Sequence, residues 1–155
     1  MVASFITISS HLVLVPLKDH RTVPAAWYTS HCLPQIISAW CQRQPNTGTQ
    51  GLQLHQDNTS THTAWLTFAF LEQNGVKLLS HPPYSPDLAP CSFFLFLTVK
   101  QQIRGQQFET PDAALQAYMH AMDTMPSSTF SHPFEQWFHQ MEKCVAAGGS
   151  YFENI

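Results

Sequence analysis

The chain has 155 residues, of which 44% are hydrophobic and only 11% are charged, and its formal net charge is −3. This length is sufficient for one domain with a hydrophobic core, and the low charged fraction indicates a largely buried chain or one that lacks part of its polar surface. The seven Lys and Arg residues argue against a strong autonomous nucleic-acid binder, because such proteins carry a basic patch or a high isoelectric point.

The N-terminal half alternates short apolar stretches with turns. Val2 to Ile8 and His11 to Leu17 are rich in β-branched and aromatic residues and predict a hairpin or a meander pair. Apolar residues at three- and four-residue steps predict a helix from Ala25 to Gln42, which Pro34 kinks or divides. Gly51 to His55 alternates like a strand, and no apolar run reaches the length of a membrane span.

From position 59 onward, the sequence predicts mainly helices. A helix is predicted from the threonines after position 58 to about Asn74, with Gly75 as its C-terminal glycine and a short strand from Val76 to Leu79 after it. The Pro-rich segment His81–Phe96 leads into a helix from about Pro90 to Arg104. Together with the first half, this order predicts an α/β plan with a mixed sheet.

Two further helices complete the predicted chain. Thr110 is an N-cap, and Pro111 occupies the first helical position after it. The last helix carries an aromatic stripe and ends at Gly148 and Gly149, and Pro133 is expected in its first turn, because proline breaks a helix interior.

The four cysteines form no Cys-x-x-Cys pair, which argues against a zinc ribbon or a redox motif. Nothing in the chain indicates secretion, so we expect an intracellular protein with reduced, mostly buried thiols.

Asp57 follows a predicted strand and precedes a helix, a position where ligands and catalytic groups gather in open α/β sheets. The simpler interpretation is a turn aspartate that caps the helix together with Asn58. A transition-metal site of His55, Asp57 and His62 is an alternative. We favour a packed His55 and a His62 that supports the helix start by a hydrogen bond.

Four prolines stiffen the segment HPPYSPDLAPCSFFLF, because proline fixes φ and restricts the residue before it. We expect this rigid loop to set the first turn of the next helix, near Ser92, against the end of the Asp57 strand. Carboxylates at both positions would suit a divalent-metal site, but a serine is a weak neutral ligand. From the residues alone, a helix N-cap is the preferred interpretation of Ser92.

The motif LHQDNTSTHTA, followed by FLEQNGVKLLSHPPYSPDLAPCSFFLF, resembles the catalytic core of mariner-family DNA transposases. The resemblance continues in MVASF, WYTSHCLPQ, VKQQIRGQQFETPDAA, FEQWFHQMEKC and GGSYFENI, so it covers essentially the whole chain. It implies a ribonuclease-H-like mixed sheet flanked by helices, lacking the first strand of the domain. It also implies that residues 1–155 form a truncated catalytic domain without the N-terminal helix-turn-helix region.

The resemblance implies cut-and-paste transposition as the ancestral activity. In the family, three aspartates bind two divalent cations, Mg²⁺ or Mn²⁺, which activate water or a 3′-hydroxyl to attack a phosphodiester. Asp57 matches the second aspartate, and Ser92 replaces the third, thirty-four intervening residues further on. The first aspartate belongs to a strand upstream of MVASF. One aspartate of three implies weak or absent metal binding and no transposase activity in this chain.

The resemblance also implies DNA, as transposon ends, for a partner, a nuclear location, and a homodimer or another transposase subunit. Lys100 and Arg104 lie one helical turn apart and could contact a phosphate, but glutamines surround them and a solvated face is favoured. A Ser-His-Asp hydrolase built on Ser85 or Ser92 is disfavoured, because the chain has no Gly-x-Ser-x-Gly elbow.

The aromatic residues of the second half are expected to serve packing rather than base stacking. Phe93, Phe94 and Phe96 are predicted core residues, and Trp137 and Phe138 are predicted to lie in the core or in a subunit interface.

Two functions fit the sequence best. The first is a degenerate transposase catalytic domain without selected activity, and the alternative is a domesticated, non-catalytic module for DNA binding or subunit assembly. A residual metal-dependent nuclease is a weaker third interpretation. A sheet without its first strand would expose apolar surface, so we expect poor solubility or self-association.

Overall fold

The computed structural model describes residues 1–17 and 22–149 and divides the chain into two compact units. The first unit takes in Met1–Thr7 and His11–Pro83, and the second takes in Ile8–Ser10 and the chain from Tyr84 onward. The last part of the transposase-like motif GGSYFENI, from Ser150 onward, lies outside the described residues. Within the described ranges, no helix is long and apolar enough to cross a membrane.

The predicted N-terminal hairpin is confirmed. Strand β1 (Val2–Ile6) pairs antiparallel with strand β2 (His11–Pro16), and a bulge interrupts the register between Phe5 and Ile6. Pro16 lies at the exposed end of β2, where a missing N–H costs least, and Val15 beside it is buried in the core.

The helix predicted from Ala25 to Gln42 is present in three pieces. Helix α1 (Ala25–Trp27) runs into a π-helical turn (Tyr28–Cys32), and helix α2 (Leu33–Arg43) follows. Pro34 lies in the first turn of α2, where a proline is tolerated because the N–H it lacks is one that a helix start leaves unpaired. The backbone is helical at Trp27, Cys32 and Leu33, so the helix is continuous and contains a π-helical turn before Pro34 rather than a break.

The second strand pair is parallel. Strand β3 (Gln53–His55) pairs with strand β4 (Lys77–Leu79), in the register Gln53 to Lys77 and His55 to Leu79. Among the described residues, no strand joins this pair to the β1–β2 hairpin, so the predicted mixed plan appears as one antiparallel and one parallel sheet of two strands each.

Helix α3 (Ser60–Thr63) and helix α4 (Trp65–Gln73) form the crossover from β3 to β4. The extended backbone of Ala64, with ψ of 142°, separates them. Gly75 has φ of +67°, and the N–H of Val76 donates to the Leu71 carbonyl at 3.0 Å. This is the glycine-terminated helix end that the sequence predicts.

The core of the first unit lies beneath both sheets and the long helix. Its buried members come from the strands and the residues just before them, from the π-helical turn, and from helices α2 and α4. They are Val15, Tyr28, Cys32, Leu33, Ile36, Leu52, Leu54, Leu71 and Val76. Cys32 is fully buried, which raises the pKa of its thiol to about 12 and keeps it protonated. The four cysteines are thiols rather than disulfides, but only Cys32 is buried, so the expectation of mostly buried thiols was wrong for the other three, which are partly exposed.

The second unit is helical. A 3₁₀ turn (Pro86–Leu88) and a π-helical turn (Cys91–Leu95) precede helix α5 (Phe96–Gln102), which is followed by helix α6 (Pro111–Asp123) and helix α7 (Ser128–Ala146). The Thr110 hydroxyl accepts a hydrogen bond from the Ala113 N–H at 3.1 Å. The predicted cap of α6 is therefore confirmed, with Pro111 in the first turn after it.

The prediction for Pro133 was wrong. Helix α7 begins at Ser128, so Pro133 is its sixth residue and lies beyond the first turn. Its ring is fully buried, and packing of the ring offsets the missing helical hydrogen bond.

The aromatic residues of the second unit divide between core and surface. Phe94 packs edge-on against the buried Phe130, with ring centroids 6.4 Å apart, and Trp137 is 7% exposed. Phe96 and Phe138 are 48% and 55% exposed, so the core prediction for Phe96 was wrong. The physical reason is helix phase: Leu95 and Val99 lie four residues apart on the buried face, and Phe96 falls beside it.

A buried hydroxyl joins α3 to α4, and its removal should weaken the first unit. Thr67 is fully buried, and its hydroxyl donates to the Thr61 carbonyl at 2.6 Å. The substitution Thr67→Val keeps the shape but leaves that carbonyl unpaired, so the free energy of unfolding in urea should fall by about 1–3 kcal/mol.

The matched control is Thr98→Val, because the Thr98 hydroxyl donates to Phe94, one turn earlier along the chain, and joins no second helix. A loss for Thr67→Val no larger than that for Thr98→Val would contradict the expected role.

Candidate functional site

Polar side chains follow both strands of the parallel pair. Gln56, Asp57 and Asn58 come directly after β3, and Ser80 and His81 come directly after β4. Because the carboxyl ends of parallel strands meet at the same edge of a sheet, these side chains lie close together.

A cavity of about 190 Å³ opens at this edge, entirely within the first unit. Its polar lining comes from the two strand ends and from α3, and Phe68, Leu78 and Leu79 supply its apolar wall. Among the described residues that line it, Asp57 is the only carboxylate. The cavity is therefore a mostly apolar cleft with one negative charge from its described residues.

Asp57 is held by two donors on one oxygen. Its Oδ1 accepts the Thr59 N–H at 3.2 Å and lies 2.7 Å from Nδ1 of His62. Partial burial raises the pKa of Asp57, but the hydrogen bonds from Thr59 and His62 outweigh it, so the net pKa lies below the ordinary value. The turn-forming interpretation of Asp57 and the predicted hydrogen bond of His62 at the helix start both agree with this geometry.

A second set of contacts holds His62 in place. The Tyr28 hydroxyl donates to Gln56 Oε1 at 2.8 Å, and Gln56 Nε2 donates to the His62 carbonyl at 3.3 Å. The ring centroids of Tyr28 and His62 are 5.0 Å apart. Burial, followed by the charges of Cys32 and Asp57, raises the pKa of Tyr28, so its hydroxyl stays a donor.

Sequence reasoning missed both Tyr28 and Gln56. Tyr28 belongs to the stretch WYTSHCLPQ, which resembles the transposase family, and this was the only signal for it.

Two histidines meet on the other side of the strand ends. His55 Nε2 lies 3.1 Å from His81 Nδ1, and the Asn58 amide donates to the His81 carbonyl at 2.7 Å. Burial, with a smaller contribution from His81, lowers the pKa of His55 to about 4, so the side chain is uncharged at neutral pH. His55 is packed, as favoured from the sequence, but its pairing with His81 was not foreseen.

The trio His55, Asp57 and His62 gains no support as a metal site. His62 points Nδ1 at Asp57, and His55 points Nε2 at His81. Within residues 1–17 and 22–149, no group of three His, Cys, Asp or Glu side chains is arranged to hold a metal ion. Asp57 alone fits one oxygen ligand of a hard divalent cation.

Ser92 does not cap its helix. It is exposed in the π-helical turn Cys91–Leu95, its N–H donates to the Ala89 carbonyl at 2.9 Å, and Pro90 holds the cap position. The N-cap interpretation was therefore wrong, because the helical bonds begin before Ser92 rather than after it.

The remaining candidates lie in the second unit with Ser92. Lys100 is exposed in α5, and Arg104 is exposed two residues beyond its end. Asp57 belongs to the first unit, so the expected approach of Ser92 to the Asp57 strand stays a prediction.

Comparison with known proteins identifies the fold. No protein-family model matches the chain. Histone-lysine N-methyltransferase SETMAR of Homo sapiens is 31% identical over 104 residues, which make up 67% of this chain and 15% of that protein. Mariner Mos1 transposase of Drosophila mauritiana is 34% identical over 101 residues, 63% of this chain and 28% of that protein. The crystal structure of the Mos1 catalytic domain matches with a TM-score of 0.88 at 26% identity, covering 98% of this chain and 75% of that chain.

The chain is homologous to the mariner transposase catalytic domain. Its α/β fold is accordingly ribonuclease-H-like. Structures of that Mos1 domain with Mg and with Mn each match at a TM-score of 0.86, and a Mos1 paired-end complex with the left transposon end matches at 0.87. This chain spans less than a third of the length of SETMAR or of Mos1 transposase.

The half-buried His55 predicts a stability that falls in mild acid. Its pKa is about 4 in the folded chain and near 6.5 when unfolded, so the unfolded chain binds more protons between these values. The contribution of His55 is therefore complete above about pH 6.5 and is lost as the pH falls towards 4. Because solvent screens a half-buried group, between pH 7 and pH 5 we expect it to lower the free energy of unfolding by about 1 kcal/mol.

Urea denaturation at a series of pH values measures this slope. The variant His55→Gln should lose that part of the pH dependence, whereas His132→Gln, which removes an exposed histidine of α7, should keep it. An unchanged slope in His55→Gln would show that another group is responsible.

Proposed function

We propose that this chain is a transposon-derived protein, descended from a mariner transposase catalytic domain, and that it no longer cleaves DNA. The homology supports the descent. The loss of activity is supported by the residues at the two motif positions, Asp57 and Ser92.

The observation that carries the proposal is the serine at position 92. The family motif places its third metal-binding carboxylate there, whereas the Ser92 hydroxyl is a weak neutral ligand. Within residues 1–17 and 22–149, Asp57 is the only carboxylate that lines the cavity at the strand ends. A lone carboxylate is too few to hold two divalent cations that keep most of their waters, so two-metal cleavage lacks its ligands.

A divalent cation would be held by Asp57, and when bound in the family it activates the nucleophile that attacks a phosphodiester. In this chain, the residues around Asp57 hold its carboxylate in one ionisation state and one orientation. Thr59 and His62 keep Asp57 ionised and oriented, and Tyr28 and Gln56 hold His62. The supporting contacts of one ligand are thus present without the complete set of ligands.

Nicking of supercoiled plasmid in Mn²⁺ tests the proposal. We expect no nicking above background by the native chain or by Asp57→Ala, because the two-metal ligand set is incomplete. The variant Ser92→Asp restores a carboxylate at the third motif position and tests whether Ser92 alone accounts for the inactivity. Circular dichroism of each protein establishes that it is folded.

Each other result has a defined meaning. Nicking by the native chain that Asp57→Ala abolishes would overturn the proposed inactivity. Nicking by Ser92→Asp alone would keep the native chain inactive and identify Ser92 as the sufficient cause.

A subunit-assembly role is a second candidate, because the chain exposes large apolar side chains. Trp65 in α4 is 79% exposed, and Phe138 and Val145 in α7 are 55% and 79% exposed. Phe138 and Val145 lie seven residues, about two turns, apart along α7, and a contiguous exposed apolar patch is typical of an interaction surface. In this role the partner is a second copy or another transposase subunit, with DNA as a further partner and the nucleus as the location.

Light scattering after size exclusion tests the assembly role. A dimer at micromolar concentration that Trp65→Gln or Phe138→Gln weakens by at least about tenfold would support it. A monomer at every concentration would count against assembly, and binding of a transposon-end duplex at physiological salt, measured by fluorescence anisotropy, would favour DNA binding instead.

A further inference from the structure

The cleft at the strand ends is small and mostly apolar. Its volume of about 190 Å³ lies below the range of about 300–1,000 Å³ that is typical of pockets for drug-sized ligands. Phe68, Leu78 and Leu79 form its apolar wall. A molecule with one ring or a short carbon chain therefore fits the described lining better than a larger one.

Asp57 brings a negative charge into this apolar lining. Its side chain is 55% exposed and is ionised at neutral pH. Its hydrogen bonds come from the Thr59 N–H, the Thr59 hydroxyl and Nδ1 of His62. Within residues 1–17 and 22–149, no Lys or Arg forms an ion pair with Asp57. The described chain therefore supplies no permanent cation to neutralise this carboxylate.

The hydrogen bonds already made to Asp57 restrict what can bind beside it. An ionised carboxylate has about four acceptor positions, and the contacts from Thr59 and His62 occupy three of them. A guanidinium binds best to two parallel acceptors, and a hard divalent cation takes several oxygen ligands, so both are poorly matched. A phosphate meets no Lys or Arg among the described lining residues. The best match is a monocation that donates one hydrogen bond and carries an apolar body.

We propose that the cleft is a binding site for a small organic monocation, in which one ammonium group is joined to an aromatic or alkyl stem. The ammonium group lies against the Asp57 carboxylate, and the stem lies on Phe68, Leu78 and Leu79. The charge-assisted hydrogen bond supplies selectivity, and burial of the stem supplies the remaining affinity. This site does not depend on the proposed descent of the chain or on DNA cleavage.

Two ligands of nearly equal shape test the role of the charge. Phenethylamine is a cation at neutral pH, and phenethyl alcohol is its uncharged counterpart. Backbone amide shifts of Asn58, Thr63 and Ser80, which lie on the three segments that line the cleft, report binding in nuclear magnetic resonance spectra of the full chain. We expect saturable binding of the amine in the millimolar range and at least about tenfold weaker binding of the alcohol.

Three variants separate the charge of the cleft from its shape. Asp57→Asn keeps the side-chain size and removes the charge, so it should weaken amine binding at least about tenfold and leave alcohol binding within about twofold. Phe68→Ala removes part of the apolar wall and should weaken both ligands. Phe96→Ala is the matched control and should change neither, because Phe96 is 48% exposed against 43% for Phe68 and lies in the second unit. Circular dichroism shows whether each variant is folded.

Three results would overturn the inference. They are equal affinity of the native chain for the amine and the alcohol, a preference for the amine that persists in Asp57→Asn, and no saturable shift at the cleft amides. If Asp57→Asn does not fold, the comparison of the two ligands on the native chain still decides. Plasmid nicking is independent of all three results, so this proposal and the proposed inactivity fail separately.

Discussion

The parallel pairing of β3 with β4 is the constraint on which the candidate site depends. Only three residue pairs form it, too few for an isolated ladder to be stable in water. Leu54 in β3 is buried in the core of the first unit, and Leu52 and Val76, just before the two strands, are buried there too. Packing beneath the strands therefore stabilises the pairing, and the pairing brings Asp57 and His81 to one edge.

Asp57 serves as a turn former and as a ligand candidate at the same time, and the geometry shows why these roles are compatible. A carboxylate has two oxygens, and the contacts from the Thr59 N–H and from His62 Nδ1 both fall on Oδ1. The same hydrogen bonds that shape the start of α3 also lower the pKa of Asp57 against the effect of burial. These contacts join residues 57, 59 and 62 only, so none of them involves the side chain of Ser92.

Sequence patterns predicted the elements that obey local rules. The hairpin, the glycine end of α4 at Gly75 and the cap at Thr110 each depend on residues within one turn, so they were predictable. Pro133 was misplaced because burial of its ring in the second unit outweighs the local penalty for proline. At the site, Asp57 was predictable because it lies between a strand end and a helix start. The Tyr28–Gln56 hydrogen bond joins residues 28 apart, and no local pattern predicts such a contact.

The π-helical turn at Tyr28–Cys32 holds one residue more than an ordinary helical turn, since the Leu33 N–H bonds back to Tyr28 across five residues. The extra residue shifts the spacing of the buried apolar positions by one residue at this turn, while the helix continues on both sides. A relative one residue shorter in this turn would close it as plain α-helix. An alignment gap of one residue between this chain and such a relative therefore belongs at positions 28–32, where the core contacts of the flanking helices survive it.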